Sequence, residues 1–202
     1  MLQLSAYVLD REAIRLDAYR LLCLFYANKE IARQSDPVNH HPDQALLLER
    51  RYFPRELTRL LLSVAIAIRT LDDQMEHLSI ENADRKKYVL ARDHANAQHL
   101  CMMFDEMSLR EVCNKIIHAT VVEPHTQEGV ESHQYDEYMW EAWQQNYDEA
   151  GSTESDRPEP IPWEHLSGKV RLGGKQFGKQ WWHLLEIPTF VSAVFDLLRD
   201  DA

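Results

Sequence analysis

Apolar residues recur at intervals of three and four through most of the first 120 residues, a pattern typical of amphipathic helices. It predicts three long helices, over residues 4–33, 54–78 and 84–105. Pro54 suits the first turn of the second helix, and residues 60–68 in its middle are apolar nearly all round. Ser108 with Glu111 three residues later has the spacing of a capping box and predicts a short helix that ends near Ala119.

The pattern changes character in the last third of the chain. It predicts a short strand at residues 120–123, two strands at 166–172 and 180–187 joined by a loop, and a last helix that Pro188 begins. The predicted fold class is therefore mainly α with a small antiparallel sheet (α+β), a helical bundle with a C-terminal β-hairpin and helix. We divide the chain into three parts. Residues 1–122 form the helical bundle, residues 123–164 form an acidic aromatic insertion and linker, and residues 165–202 form a β-hairpin and C-terminal helix packed on the same domain.

Composition and charge change this picture at one place. The net charge of −11 disfavours nucleic acid as a partner at first sight. However, residues 123–164 carry 12 acidic residues and one basic residue, so this insertion supplies the whole net charge. The remainder is balanced, and a local phosphate-binding surface is compatible with it.

The acidic insertion is also rich in aromatic residues. They recur at roughly helical spacing and are followed by a Gly- and Pro-containing linker at residues 151–162. One interpretation is a short helix docked on its own domain and then a loop. The other is a docking element for a protein partner, within residues 133–149, in which the binding residues are Tyr135, Tyr138, Trp140 and Trp143.

Three cysteines, at no metal-ligand spacing, indicate free thiols in a reducing compartment. The first residues lack a basic start and a hydrophobic signal core, and no apolar run is long enough for a bilayer. We therefore expect a cytoplasmic protein with no membrane partner. The ten histidines are scattered, so we also expect no metal and no cofactor.

The predicted helix after Ser108 carries the candidate chemistry. Arg110, Asn114 and His118 follow one another at four-residue intervals and form one polar stripe opposite an apolar face. A guanidinium can bind phosphate oxygens, and an imidazole can exchange a proton near neutral pH. The alternative is an ordinary amphipathic helix with a polar outer face.

The segment from Leu109 to Ala119, placed after long helices, resembles the active-site helix of HEPN superfamily proteins. The family pattern is an Arg followed by a polar residue, commonly Asn, with a His a few residues later. Asn114 and His118 match it, whereas Cys113 stands before Asn114 and the nearest preceding Arg is Arg110. The resemblance implies an all-α, often dimeric protein and a metal-independent ribonuclease of a bacterial toxin or defence system.

In the mechanism that this resemblance implies, His118 transfers the proton for attack by a ribose 2′-hydroxyl, Arg110 holds the phosphate and Asn114 orients the reacting groups. A relative that binds RNA without cutting it is one alternative. A non-catalytic interaction module that acts through the acidic insertion is the other.

A second motif has the spacing of a phosphate-binding P-loop, Gly173-Gly-Lys-Gln-Phe-Gly-Lys179. That motif requires Ser or Thr next, then a helix, whereas Gln180 and a strand-like segment follow here. We predict a hairpin loop instead of a nucleotide site.

Overall fold

The computed structural model describes residues 9–35, 44–150, 159–160 and 162–199. Along these residues the chain forms helices and strands in the order α1 Arg11–Gln34, α2 Gln44–His77, α3 Ala83–Gln98, β1 Met102–Met103, α4 Leu109–His118, β2 Val121–Glu128, α5 Gln134–Ala150, β3 Glu164–Gln176, β4 Lys179–Glu186 and α6 Ile187–Leu197. The fold is mainly helical with a small antiparallel sheet, which confirms the predicted class.

The sheet has four strands in the order β1-β4-β3-β2. β3 and β4 form a long hairpin, in which Val170 lies opposite Leu185 and Gln176 lies opposite Lys179. Phe177 and Gly178 connect the two strands, both with positive φ, as in the two-residue type I′ turn that favours the twist of a hairpin. The prediction of a hairpin in place of a P-loop is therefore confirmed, although the connecting loop is shorter than predicted.

Two adjacent glycines in β3 are covered by two adjacent tryptophans of β4. Gly173 pairs with Trp182 and Gly174 pairs with Trp181, on opposite faces of the sheet. A Cβ atom on Gly173 would lie 2.1 Å from the Trp182 ring, and one on Gly174 would lie 2.4 Å from the Trp181 ring. Each indole therefore occupies the space that a side chain on β3 would need.

The chain forms two compact units. The first contains residues 1–24, 54–125 and 168–202, and the second contains residues 25–53 and 126–167. In the first unit, fully buried residues come from α1, α2, α3, α4, β3, β4 and α6, among them Leu21, Val64, Val112, Leu172 and Phe190. The apolar run at residues 60–68 predicts a buried helix, and most of it belongs to this core, whereas Ile66 is 50% exposed.

The second unit has a smaller core around aromatic rings. Phe25 and Phe53 meet edge to face with ring centroids 5.7 Å apart. The Trp163 indole donates to the backbone carbonyl of Glu131 at 2.8 Å and covers Gly129, where a Cβ atom would lie 2.0 Å from the ring. The buried Trp163 therefore joins the end of the acidic insertion to its beginning.

Several boundaries differ from the prediction. α2 begins at Gln44, so Pro54 lies inside the helix, at the boundary between the two units, and not in its first turn. The third helix ends at Gln98 because the next residues pair with β4, where Met102 lies opposite Leu185. The insertion helix is confirmed as α5, but most of the predicted linker, residues 151–158 and 161, lies outside the described residues.

The cysteines and the helices agree with two further expectations. Cys23, Cys101 and Cys113 are free thiols. Burial raises the pKa of Cys101 to about 12, which leaves that thiol protonated and unreactive near neutral pH. Among the described helices, none has an apolar stretch long enough to cross a membrane.

The close fit of Trp181 over Gly174 gives a stability prediction. Gly174→Ala should lower the free energy of unfolding by about 1–3 kcal/mol, because the added methyl group displaces a partly buried indole. Urea unfolding measures this cost. In a Trp181→Ala background the same substitution should cost nothing, and an undiminished cost there would contradict the explanation.

Candidate functional site

The short helix α4 is oriented by its two different faces. Ser108 caps it, since its hydroxyl accepts from the backbone amide of Glu111 and the Glu111 carboxylate accepts from the amide of Ser108. This confirms the predicted capping box. Its inward face is fully apolar, formed by Leu109, Val112, Cys113 and Ile116. The polar stripe of Arg110, Asn114 and His118 is thereby left on the outer side of the helix.

Arg110 is held by carboxylates of α2. Its guanidinium donates to Asp72 and, at 2.9 Å, to Asp73, and it lies 3.5 Å from Glu76. Asp72 is only 1% exposed and also accepts from the Tyr88 hydroxyl of α3 at 3.0 Å. The first member of the polar stripe therefore belongs to a network that ties α4 to α2 and α3.

Two further arginines complete this network. Arg69 donates to Asp73 at 2.7 Å, and Arg92 lies 3.6 Å from Asp72. Together with Arg110, three cations surround the pair of aspartates, so the buried charge is compensated.

The network also sets the ionisation of its members. Burial disfavours the charged form of Asp73, but hydrogen bonds from Arg69 and Arg110 leave the pKa of Asp73 below its usual value. The hydrogen bond to Asp72 raises the pKa of Arg110, and burial beside Asp72 raises that of Tyr88. Near neutral pH Arg110 and Asp73 are charged while the Tyr88 phenol stays protonated.

Asp72, Asp73 and Glu76 are also the one group of three potential metal ligands found in the described part of the chain, with ligand atoms within 4.8 Å of one another. Arg110 lies within ion-pair distance of all three carboxylates. A divalent cation would have to displace that guanidinium, so the cluster fits an ion-pair network better than a metal centre.

Asn114 connects the network to a cleft. Its side-chain oxygen accepts from Nε of Arg69 at 2.8 Å, which orients the amide. The same residue lines a cleft of about 690 Å³ between α4 and the β3–β4 hairpin. The amide therefore has a fixed position at the edge of this cleft.

His118 is exposed and lies in the same cleft. The wall opposite α4 comes from the hairpin, and the lining residues are Met107, Glu111, Asn114, Lys115, His118, Lys175, Gln176 and Trp181. Nζ of Lys115 lies 4.6 Å from the centroid of the Trp181 ring, a cation–π contact across the cleft. The cleft thus combines an imidazole, an amide, two ammonium groups and an indole.

The one carboxylate of the cleft is already engaged. Glu111 accepts from the Ser108 hydroxyl at 2.7 Å and from its backbone amide at 2.9 Å. These hydrogen bonds, that of the hydroxyl first, lower the pKa of Glu111. Its charge also faces the positive end of the α4 dipole, which reduces its repulsion of an anion in the cleft.

Behind Trp181 lies a histidine–carboxylate pair that the sequence patterns do not indicate. Nδ1 of His183 is 2.8 Å from a carboxylate oxygen of Asp105, and the His183 ring lies 5.4 Å from the Trp181 ring. Trp181 is therefore held between Gly174 and His183. It presents an oriented indole to the cleft.

The structure brings Asn114 and His118 together and adds Lys115, Lys175 and Trp181, which sequence reasoning missed. Lys115 lies on the predicted helix, but one position beyond Asn114. The other two residues come from the hairpin, about sixty residues later. The Gly-Gly and Trp-Trp pairs of that hairpin were the signal that could have identified Trp181. A glycine pair opposite a tryptophan pair indicates indole rings that are held in place over the glycines.

The predicted partner-binding residues lie on α5. Tyr138 is 64% exposed and Trp140 is 37% exposed, while Trp143 is half-buried with its ring centroid 5.2 Å from that of Trp140. The side chain of Tyr135 lies outside the described residues. Among its described side chains, α5 therefore presents the exposed phenol of Tyr138 and a partly covered tryptophan pair.

Comparisons with known proteins found no matching family model, no matching curated protein and no matching solved structure.

The pairing of Arg110 gives a testable consequence. Arg110→Ala should lower the free energy of unfolding by about 2 kcal/mol at neutral pH, because buried Asp72 and neighbouring Asp73 both lose a charged partner. Urea titrations at several pH values measure the difference from wild type.

The pH dependence has a defined sign. A carboxylate with a lowered pKa stabilises the fold above its unfolded pKa, and this stability is lost as the pH falls through its folded pKa. The difference between Arg110→Ala and wild type should therefore shrink below about pH 4 as Asp73 is protonated. A difference that stays constant down to pH 2 would contradict the role given to these carboxylates.

Proposed function

We propose that the protein binds RNA, or a related phosphodiester, in the cleft between α4 and the β3–β4 hairpin, and that His118 acts there in proton transfer. The observation that carries this proposal is the convergence of His118, Lys115, Lys175 and Trp181 on one cleft. It keeps the function implied by the resemblance of α4 to HEPN proteins. The phosphate-binding role passes from Arg110 to the two lysines.

The electrostatics support this change. Arg110 is engaged with three carboxylates, so it offers a phosphate little uncompensated charge. Lys115 and Lys175 line the cleft itself, and each ammonium group supplies a compact positive charge to phosphate oxygens. The carboxylate of Glu111 is held at the helix N-terminus by the capping box. An anion in the cleft is therefore attracted by two lysines, while the carboxylate of Glu111 is already engaged in hydrogen bonds.

The cleavage step needs only groups of this kind. His118 accepts the proton of the ribose 2′-hydroxyl, and the 2′-oxygen attacks phosphorus. The bond from phosphorus to the 5′-oxygen breaks, and that oxygen takes a proton from a water molecule. Protonated His118 returns its proton to the hydroxide so formed, and the products are a 2′,3′-cyclic phosphate and a 5′-hydroxyl. Asn114, oriented by Arg69, can donate to a phosphate oxygen as negative charge develops there.

Binding and cleavage have separate tests. A double variant, Lys115→Ala with Lys175→Ala, should weaken binding of a fluorescent RNA oligonucleotide. It should also lower the slope of log affinity against log salt by about 1.4, since each phosphate contact on a single strand contributes about 0.7. Fluorescence anisotropy over a salt series measures both quantities. Lys86→Ala with Lys87→Ala removes two exposed charges from α3 and should leave affinity and slope unchanged.

His118→Ala should keep RNA binding within about threefold but abolish the appearance of cyclic-phosphate ends, because general base catalysis contributes about 10²–10⁴ in rate. Incubation of wild type and variant with RNA, without added metal, measures the products. Equal cleavage by both proteins would rule out the proton-transfer role. RNA binding unaffected by the lysine double variant would rule out the cleft.

A second candidate function is recruitment of a basic protein through α5. The specific observation is the exposure of Tyr138 and Met139 on a helix from the segment that carries the net charge of the chain. Exposed aromatic residues among carboxylates suit a partner with apolar anchors and lysine or arginine around them.

Tyr138→Ser with Met139→Ser should weaken such a complex about tenfold without unfolding the protein, since both side chains are exposed. Calorimetric titration of a purified basic partner recovered on the wild-type protein measures the change. Deletion of residues 125–160 is a poorer test, because it would remove part of β2. Equal affinity for wild type and variant would exclude α5 as the binding surface.

A further inference from the structure

Phe177, at the tip of the hairpin, has a placement that the packing of the fold does not explain. It is 95% exposed, and its φ of +50° places a non-glycine residue in the left-handed region. This conformation disfavours an aromatic residue, and type I′ turns prefer Asn or Gly at this position. Phe177 therefore opposes hairpin formation and gains no burial in return.

The tip adjoins the proposed RNA cleft. Lys175 and Gln176, the two residues before Phe177, line the cleft, and so does Trp181 on the returning strand. The register places Trp181 opposite Gly174. Each of these residues is three positions from the turn, so roughly 10 Å of strand separate the indole from the tip. Along the hairpin, Phe177 therefore follows Trp181 toward the tip, with lysines at positions 175 and 179 on either side of Phe177 in the chain. The third ring, that of Trp182, covers Gly173.

We propose that Phe177 stacks on an unpaired base and makes the cleft selective for single-stranded RNA. This inference rests on the proposed function. Phosphates held by Lys115 and Lys175 would place a neighbouring nucleotide beside the tip. A base in a duplex is covered on both faces by its neighbours, whereas a single-stranded base has a free face for an aromatic ring.

The surroundings of Phe177 favour a base over a lipid. The other side chains of the tip, Lys175, Gln176 and Lys179, are polar and exposed. A single exposed ring among polar residues offers little apolar area to a bilayer, and one of its neighbouring lysines, Lys175, lines a cleft that also holds a histidine. Phe177 lies between two lysines along the chain, as a base lies between two phosphates along a nucleic-acid strand.

Phe177→Asn separates this role from a structural one. It gives the turn its preferred Asn-Gly pair, so the urea midpoint should rise, while affinity for a single-stranded RNA should fall about tenfold. The matched control is Phe104→Asn. Phe104 is also exposed, at 93%, and also has positive φ, but its chain neighbours do not line the cleft. This control should bind RNA like wild type.

An abasic oligonucleotide completes the test. Wild type should bind it about tenfold more weakly than the base-containing RNA, and Phe177→Asn should weaken it no further, because no base remains to stack. Two results together would overturn the stacking role and leave the proposed function in place. They are full RNA affinity of Phe177→Asn and loss of RNA binding by the Lys115 and Lys175 double variant. Unchanged binding by the double variant would instead overturn the proposed function.

Two other outcomes would also overturn the stacking role. One is an equal loss of RNA affinity for Phe104→Asn, which would indicate a general effect of exposed rings. The other is a loss confined to vesicles of anionic phospholipid in flotation assays, with RNA affinity unchanged, which would assign Phe177 to a membrane surface.

Discussion

The carboxylate of Asp72 is the constraint on which the first unit depends. A buried charge without partners would cost several kcal/mol, so α3 must supply Tyr88 and Arg92, and α4 must supply Arg110. These contacts fix α4 against α2 and α3 while its apolar face fills the core. The polar stripe of α4 is consequently divided. Its first turn stabilises the fold, and its last turn, with His118, faces the cleft.

Local signals in the sequence predicted the elements better than their assembly. The capping box defined α4, and the strand-like segments at residues 166–172 and 180–187 defined the hairpin, because both signals depend on neighbouring residues. The start of α2 was missed, since Pro54 was assigned to a first turn and lies inside the helix. The cleft could be predicted only in part. His118 and Asn114 share a helix, but their proximity to Lys175 and Trp181 results from packing between distant segments. In the same way, nothing adjacent to Asp72 distinguishes it from an ordinary exposed helix residue.

The net charge of −11 and the proposed phosphate-binding cleft are compatible because charge acts over a limited distance. At physiological ionic strength the screening length is about 8 Å. A phosphate inside the cleft would therefore interact mainly with Lys115, Lys175 and the already hydrogen-bonded Glu111 around it, and only weakly with charges elsewhere. The protein as a whole would repel a nucleic acid at long range and attract it at contact. Such a balance favours short or flexible strands over long, stiff ones.

Across the residues that the structure describes, a tryptophan covers a glycine three times, with Trp163 over Gly129, Trp182 over Gly173 and Trp181 over Gly174. In each pair the backbone at the glycine, which has no side chain, is covered by the indole ring of a tryptophan from another segment. Neither partner can change alone, because a larger residue at the glycine collides with the ring, and a smaller residue at the tryptophan uncovers the backbone. In related sequences, the two members of each pair should therefore be kept or replaced together.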